Sequence, residues 1–447
     1  MRKLLRDAKP FLSDIYSPKE EHSHGRLMSL ISSLVTSFYN VFITGIFYTG
    51  FLSMYGISIT GVGIVSFIPF IGGSFALFSP FVLKHFKKRK AIVLSSKLLF
   101  YALYIIATNI MPLFVESPDG RLRWFIVILF VAYAEYALFS PGLTVWFYHF
   151  YPKDNERRTR YIYYNQMFSS VMSSVVLLLS GILTDAVSGS SHQATIILAL
   201  RYFAFALVII DVFAQSRAKE YPYTETTHLK LGQIFTIPIK NRKFMMCMLL
   251  MFLWNILCNL NNGTWNYHLL NHLGYSYTLI NCMSVSYTVI LTLTSRLWRK
   301  VLRKYSWVKT FGLCCLMSFP LELVYFLLNP RIAYVYVIVS LWQNVINVGF
   351  NLSYANILYM NLPEENSTAY ISFNAVGSNV CALIGMVAGT LIVSSRADTP
   401  FSFIGLEVYT VQFTCLIKTV MMMGVGLMCY FAWKSFTSDA EMEALRS

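Results

Sequence analysis

Charge is what this chain has least of. Only 13% of its 447 residues are Asp, Glu, Lys or Arg, and acids are the scarcer sign, 21 against 36 bases. With 56% hydrophobic residues, so few charges cannot give a water-soluble fold of this length its polar faces. A Gly-x-x-x-x-Gly-Lys-Ser/Thr segment is also absent, so the chain has no phosphate loop with which to act as its own ATPase. The eight cysteines follow no metal or redox spacing. They read as free buried thiols, with Cys314 and Cys315 adjacent. The charged N-terminus has no short apolar core ahead of a small-residue cleavage site, so no cleavable signal peptide is expected. No cofactor and no metal are expected.

What is abundant is long apolar blocks. Twelve of them, each of a length that crosses a hydrocarbon core as a helix, lie at about 27–51, 60–82, 91–114, 124–149, 162–185, 194–214, 244–267, 277–297, 309–329, 332–360, 370–394 and 408–433. The expected class is an all-α integral membrane protein. The net charge of +15 raises the question of nucleic acid, but placement answers it. Lys and Arg gather in alternate loops: at the N-terminus, after spans 2, 4 and 8, and in the central stretch 216–243. The intervening loops hold only Arg121, Arg123, Arg331 and Arg396. This is the positive-inside pattern. It places both termini in the cytoplasm and makes the lipid bilayer, not nucleic acid, the partner of the basic charge.

The hydrophilic stretch 216–243 divides the chain into an N-terminal half, 1–215, and a C-terminal half, 244–447, each with six spans. The halves repeat one another. "YPKDN…YIYYN" after span 4 matches "LPEEN…YISFN" after span 10. The paired positions are Pro152 and Pro363, Asp154 and Glu365, Asn155 and Asn366, Tyr161 and Tyr370, Ile162 and Ile371, Asn165 and Asn374. A glycine follows at a similar distance in each, Gly181 and Gly389. A fainter repeat joins "KHFKKRKAIVL" after span 2 to "RKYSWVKTFGL" after span 8.

Twelve spans in two six-span repeats, with a basic turn after spans 2 and 8, resemble the major facilitator superfamily of secondary transporters over essentially the whole chain. The family signature in those turns is roughly Gly-x-x-x-Asp-Arg-x-Gly-Arg-Arg. Here Arg89 and Lys90 fit its end, while Lys84 stands at the acidic position and neither glycine is present. In the second copy Arg303 stands at the acidic position, and Lys304 and Lys309 fit. The resemblance makes these the gating turns. It also implies that spans 1, 4, 7 and 10 line a central cavity and that spans 3, 6, 9 and 12 are peripheral.

Residue spacing tests that implication independently. Span 1 carries Ser37, Asn40, Thr44 and Tyr48. Span 7 carries Asn255, Asn259, Asn262 and Asn266, with Asn261 off the stripe and available for helix packing. Span 10 carries Asn344, Asn347 and Asn351, with Gln343 alongside. Steps of three and four place each set on one helical face. Span 4 holds Glu135, Tyr136 and Ser140 before Pro141-Gly142, where the backbone ladder is expected to open. Asn262-Gly263 is expected to do the same in span 7. The alternative for any single amide is an interhelical hydrogen bond of about 0.6–2 kcal/mol.

Glu135 lies near the middle of span 4. Intramembrane acids are costly and mark functional sites, so Glu135 is the candidate for proton coupling or for a cationic group of the solute. Its alternative is a neutral, hydrogen-bonded structural carboxyl. Lys97, Arg201, Asp211, Glu322 and Lys418 sit on presumed peripheral spans and read as structural. Lys97 and Asp211 lie near helix ends and can snorkel, while Glu322 and Lys418 are expected to pair. His268 and His272 share one helical face, but no further ligand completes a metal set.

The expected function is a secondary transporter, not an enzyme. It would be a monomer in the cell membrane, moving a small polar or amphipathic organic solute by alternating access, with a proton or other ion as coupling partner. The alternatives are a transporter-like sensor or partner-binding protein, and a polytopic lipid-modifying enzyme. The last would need a nucleophile and base clustered near an interface, and His149 has no such companion. Solute flux in proteoliposomes separates transport from both.

Overall fold

The computed structural model describes residues 13–17, 20, 22–83, 85–86, 88–152, 155–186, 192–221, 231–361, 367–396, 399–403 and 406–436. Among the described residues, twelve helices are long and apolar enough to cross a membrane. They are α1 (Ser23–Met54), α2 (Ile59–Phe78), α3 (Lys90–Leu113), α4 (Pro118–Phe147), α5 (Tyr164–Ala186) and α6 (His192–Ser216), then α7 (Arg242–His272), α8 (Tyr277–Thr294), α9 (Trp307–Phe326), α10 (Tyr334–Tyr354), α11 (Phe373–Ser394) and α12 (Thr410–Phe436). Several starts are set by side-chain caps that satisfy an orphan backbone N–H. Ser58 accepts from Gly61, Ser117 from Gly120, Ser276 from Leu279 and Ser306 from Lys309. A hairpin that the apolar blocks gave no sign of, β1 (Phe401–Phe403) and β2 (Leu406–Val408), is antiparallel with Ser402 opposite Glu407.

The chain forms two compact units. The first holds Met1–Ile57 and Ile71–Glu225; the second holds Ser58–Phe70 and Thr226–Ser447. In the first, α1 packs on α5 and α6, and α3 on α4 and α6. In the second, α9 packs on α10 and α12, α7 on α11, and α8 on α10. Glycines allow the closest approaches. A Cβ on Gly385 or Gly389 of α11 would run into the carbonyl oxygens of Ile256 and Leu260 on α7. That is a small-xxx-small contact between membrane helices.

Each unit holds a buried ion pair between two of its helices. Lys97 Nζ of α3 lies 2.6 Å from Asp211 Oδ2 of α6, with both side chains almost wholly buried. Thr36 Oγ1 and Tyr39 OH donate to the same oxygen, and Gln215 Nε2 donates to Oδ1. The snorkelling expected of Lys97 and Asp211 is therefore wrong, because each finds its counter-charge on the neighbouring helix. Lys418 and Glu322 pair as expected, at 3.1 Å. All eight cysteines are free. Cys247, Cys314, Cys315, Cys415 and Cys429 are buried, whereas Cys258 is exposed.

The segment before α1 is tied down by charge. Arg157 Nη2 donates to Asp14 at 2.7 Å and to Glu20 at 2.6 Å. Buried Arg26 donates to the Phe150 and Ile15 carbonyls. The hydrogen bond from Arg157 holds the Glu20 carboxyl below its ordinary 4.5, and Arg26 acts in the same sense. The folded-state value thus lies below the unfolded one. The tether contributes fully above about pH 4.5 and is lost as pH falls through the lowered value. Hydrogen-exchange protection of the first turns of α1, corrected for intrinsic rates, should match at pH 7 and 5.5 and drop in stronger acid. Loss already at pH 6 would rule out Glu20 as the titrating group.

Candidate solute-binding site

In the first unit the polar face of α1 is interrupted. Thr44 is extended (φ −126°, ψ 176°) and Gly45 has φ +58°, a conformation glycine takes without a steric penalty. The Thr44 N–H and hydroxyl both donate to the Asn40 carbonyl, at 3.1 and 2.8 Å. Asn40 is half-buried and Thr44 exposed. Beyond the break the register changes, so Tyr48 does not extend the stripe as its spacing suggested. Its ring stacks on Tyr104 at 5.5 Å and Phe51 at 6.1 Å, and its hydroxyl is buried without a partner.

The opening expected at Pro141-Gly142 is absent, and the helix is continuous from Pro118 to Tyr148. A proline removes one ladder bond. The turns on either side carry α4 across it, with Gly142 packed against Val93 and Leu83. Glu135 is half-buried on this unbroken helix. Ser96 of α3 stands beside its carboxyl, yet Glu135 Oε2 and Ser96 Oγ are both buried without a hydrogen-bond partner. Tyr136 stacks on Phe100 at 4.7 Å, and Tyr133 meets Phe100 edge-on at 5.1 Å. The acid therefore sits on a helix whose neighbouring rings are packed and fixed.

In the second unit α7 breaks where expected. Its first helix ends at Asn259, Gly263 takes φ +81°, and the helix resumes at Thr264. A run of side-chain amide hydrogen bonds leads into the break. Asn255 Nδ2 donates to Tyr354 OH (2.7 Å) and the Met251 carbonyl, Asn259 Nδ2 donates to the Asn255 carbonyl (2.8 Å), and Asn262 Nδ2 donates to Asn259 Oδ1 (3.1 Å). Asn262 is exposed, and Asn266 is half-buried on the resumed helix. Asn261 is buried, with its amide 3.9 Å from Cys415 Sγ of α12.

The α10 amides turn toward neighbouring helices. Asn344 donates to the Met283 carbonyl and Ser286 of α8, and Asn351 donates to Tyr287 of α8 at 2.6 Å. Gln343 donates to Ser318 of α9 and to Asn347. The spacing of Asn344, Asn347 and Asn351 gave one face; the bonds of Asn344 and Asn351 to α8 and of Gln343 to α9 are interhelical ties, whereas the Gln343–Asn347 bond stays within α10. Sequence reasoning missed Tyr354 and Tyr287. Tyr354 continues the 347–351 spacing by three and was there to be found; nothing in the spacing marks Tyr287.

The basic turns are held by different chemistry. The backbone N–H groups of Arg89 and Lys90 both donate to Glu220 Oε1 (2.8 and 3.0 Å), and Lys90 Nζ donates to the Ala218 carbonyl. Glu220, just beyond α6, supplies the carboxylate that the turn itself lacks, at the positive end of α3. Lys309 at the start of α9 instead sits over Tyr305, Tyr430 and Trp433, at 5.2, 5.1 and 5.7 Å, a cation–π cage closed by α12. Lys304 lies 5.6 Å from Tyr305. Lys84 and the Arg303 side chain lie outside the described residues.

A family model described as Major Facilitator Superfamily matches residues 27–386. The chain belongs to this family, and it is a multi-pass membrane protein and a secondary transporter. Solved structures share the fold at low identity. A mutant of the nucleoside transporter NupG is 12% identical, with TM-score 0.68 over 93% of this chain and 100% of that one. A bacterial homologue of the iron transporter ferroportin is 13% identical, with TM-score 0.66 over 93% and 98%. A D-xylose-proton symporter is 11% identical, with TM-score 0.62 over 93% and 98%. No curated protein matches the chain.

Proposed function

We propose that this transporter moves a small polar or amphipathic organic solute by alternating access and couples that movement to protons through Glu135. The moving bodies are the halves 1–215 and 244–447, joined by 216–243, in a cell membrane with both termini cytoplasmic. The observation that carries the coupling is the buried, unpartnered Glu135 Oε2 on α4. A carboxylate so placed is costly when charged and gains by taking a proton. The solute class rests on the linked amides of Asn255, Asn259 and Asn262, which offer uncharged hydrogen-bonding groups rather than a greasy wall. One relative in fold, by its name, couples a sugar to protons.

An untargeted metabolite comparison between vesicles bearing wild-type protein and Glu135→Gln identifies the solute. In proteoliposomes, Glu135→Gln should abolish accumulation driven by a pH gradient while exchange down the solute gradient persists. Unchanged accumulation with an unchanged pH profile would remove the coupling role.

A further inference from the structure

Among the described residues Arg201 is the largest fully buried side chain, at 0% exposure on α6. Its Nε donates to Asn109 Oδ1 at 2.7 Å, and Nη2 donates to the Tyr104 carbonyl and Thr108 Oγ1 at 3.0 and 2.8 Å. The guanidinium lies 3.8 Å from the Phe51 ring centroid and 5.7 Å from that of Tyr48. Its titratable neighbours include Tyr48, Tyr55, Tyr104 and Tyr202. Among the described residues no carboxylate lies within ion-pair distance, in contrast to Lys97 and Lys418.

Three polar atoms in this cluster are buried without a partner: Arg201 Nη1, Asn109 Nδ2 and Tyr48 OH. All three can donate. Asn109 is held against the guanidinium by its own Oδ1, so its free amide N–H groups stay beside the charge. A buried cation with neither a counter-charge nor a full set of acceptors is costly. Each of the three donors could be satisfied by an acceptor bearing a negative charge, and the Tyr48 ring and Asn109 Oδ1 both lie against the guanidinium.

We propose that Arg201, Asn109 and Tyr48 form a binding site for a small monovalent anion of chloride size, which neutralises the interior of the first unit. The anion is a bound constituent of the α1–α3–α6 packing, separate from the transported solute. Chloride accepts hydrogen bonds from any direction, so donors from three helices suit it without further geometry. Binding to the folded state alone raises stability with the logarithm of anion concentration above half-saturation.

The test is thermal unfolding of the full-length protein in detergent, with sodium chloride titrated against sodium gluconate at constant ionic strength. Gluconate is a far larger anion than chloride. The wild type should show a Tm that climbs with the logarithm of chloride concentration, and Tyr48→Phe should shift the onset of that climb to higher chloride. Arg201→Gln should remove the dependence. Because that variant risks misfolding, Asn109→Asp provides a second arm. It places a fixed carboxylate beside the guanidinium, so it should raise Tm in chloride-free medium and flatten the chloride response. Identical wild-type melting in chloride and gluconate would overturn the proposal. So would a chloride response that survives in Asn109→Asp.

Discussion

Replacing Asp211 by Leu should destabilise the protein by about 3–5 kcal/mol, the cost of leaving a buried charge without its partner. Lys97 Nζ would lose its carboxylate, and Thr36, Tyr39 and Gln215 would lose their acceptor. Lys97→Met should cost less, because Asp211 would keep those three donors. The double variant Lys97→Met with Asp211→Leu should recover part of the loss, since no lone charge then remains. Unfolding midpoints and the yield of monodisperse protein in detergent give the order. A double variant no better than Asp211→Leu would show that the pair is not the source of the effect.

Gly389→Ala should be nearly as damaging, although it adds only a methyl group. That methyl would overlap the Leu260 carbonyl of α7, a backbone atom that cannot rotate away. Overpacking costs about 1–3 kcal/mol where side chains can yield, and here the loss should reach the top of that range. Leu260 lies in the α7 break between Asn259 and Asn262, so the displacement would also pull apart the amide chain and reduce solute affinity. Gly424→Ala is the control, because nothing lies within 4 Å of a Cβ there. If the two alanine variants melt together, the α7–α11 contact is not tight.

Much of this architecture is legible in the sequence. Apolar length and the alternation of basic loops mark the twelve spans, and hydrocarbon thickness makes both signals strong. The break at Gly263 is legible because Asn-Gly favours leaving the helix. The break at Thr44 is not, since Gly45 is a single glycine in an apolar run. Pro141 gave the opposite error, because one missing ladder bond is too little to part a helix packed on α3. Spacing found the amide faces but not their partners. Asn344 and Asn351 lie where their step predicts, yet whether a face meets solute or α8 depends on how neighbouring helices dock. Lys97 and Asp211 were misjudged for the same reason, being far apart in sequence and joined only by packing.

The two buried ion pairs have opposite polarity. In the first half the base is on α3 and the acid on α6; in the second the acid is on α9 and the base on α12. The halves are repeats, so a nascent chain faces the risk of docking a helix on its counterpart's partner. α9 on α6 would bring Glu322 to the side of Asp211, and α3 on α12 would bring Lys97 to the side of Lys418. Each mistaken exchange confronts like charges in an apolar medium. The inverted polarity of the two pairs therefore penalises cross-docking between the repeats and favours each helix meeting its own partner.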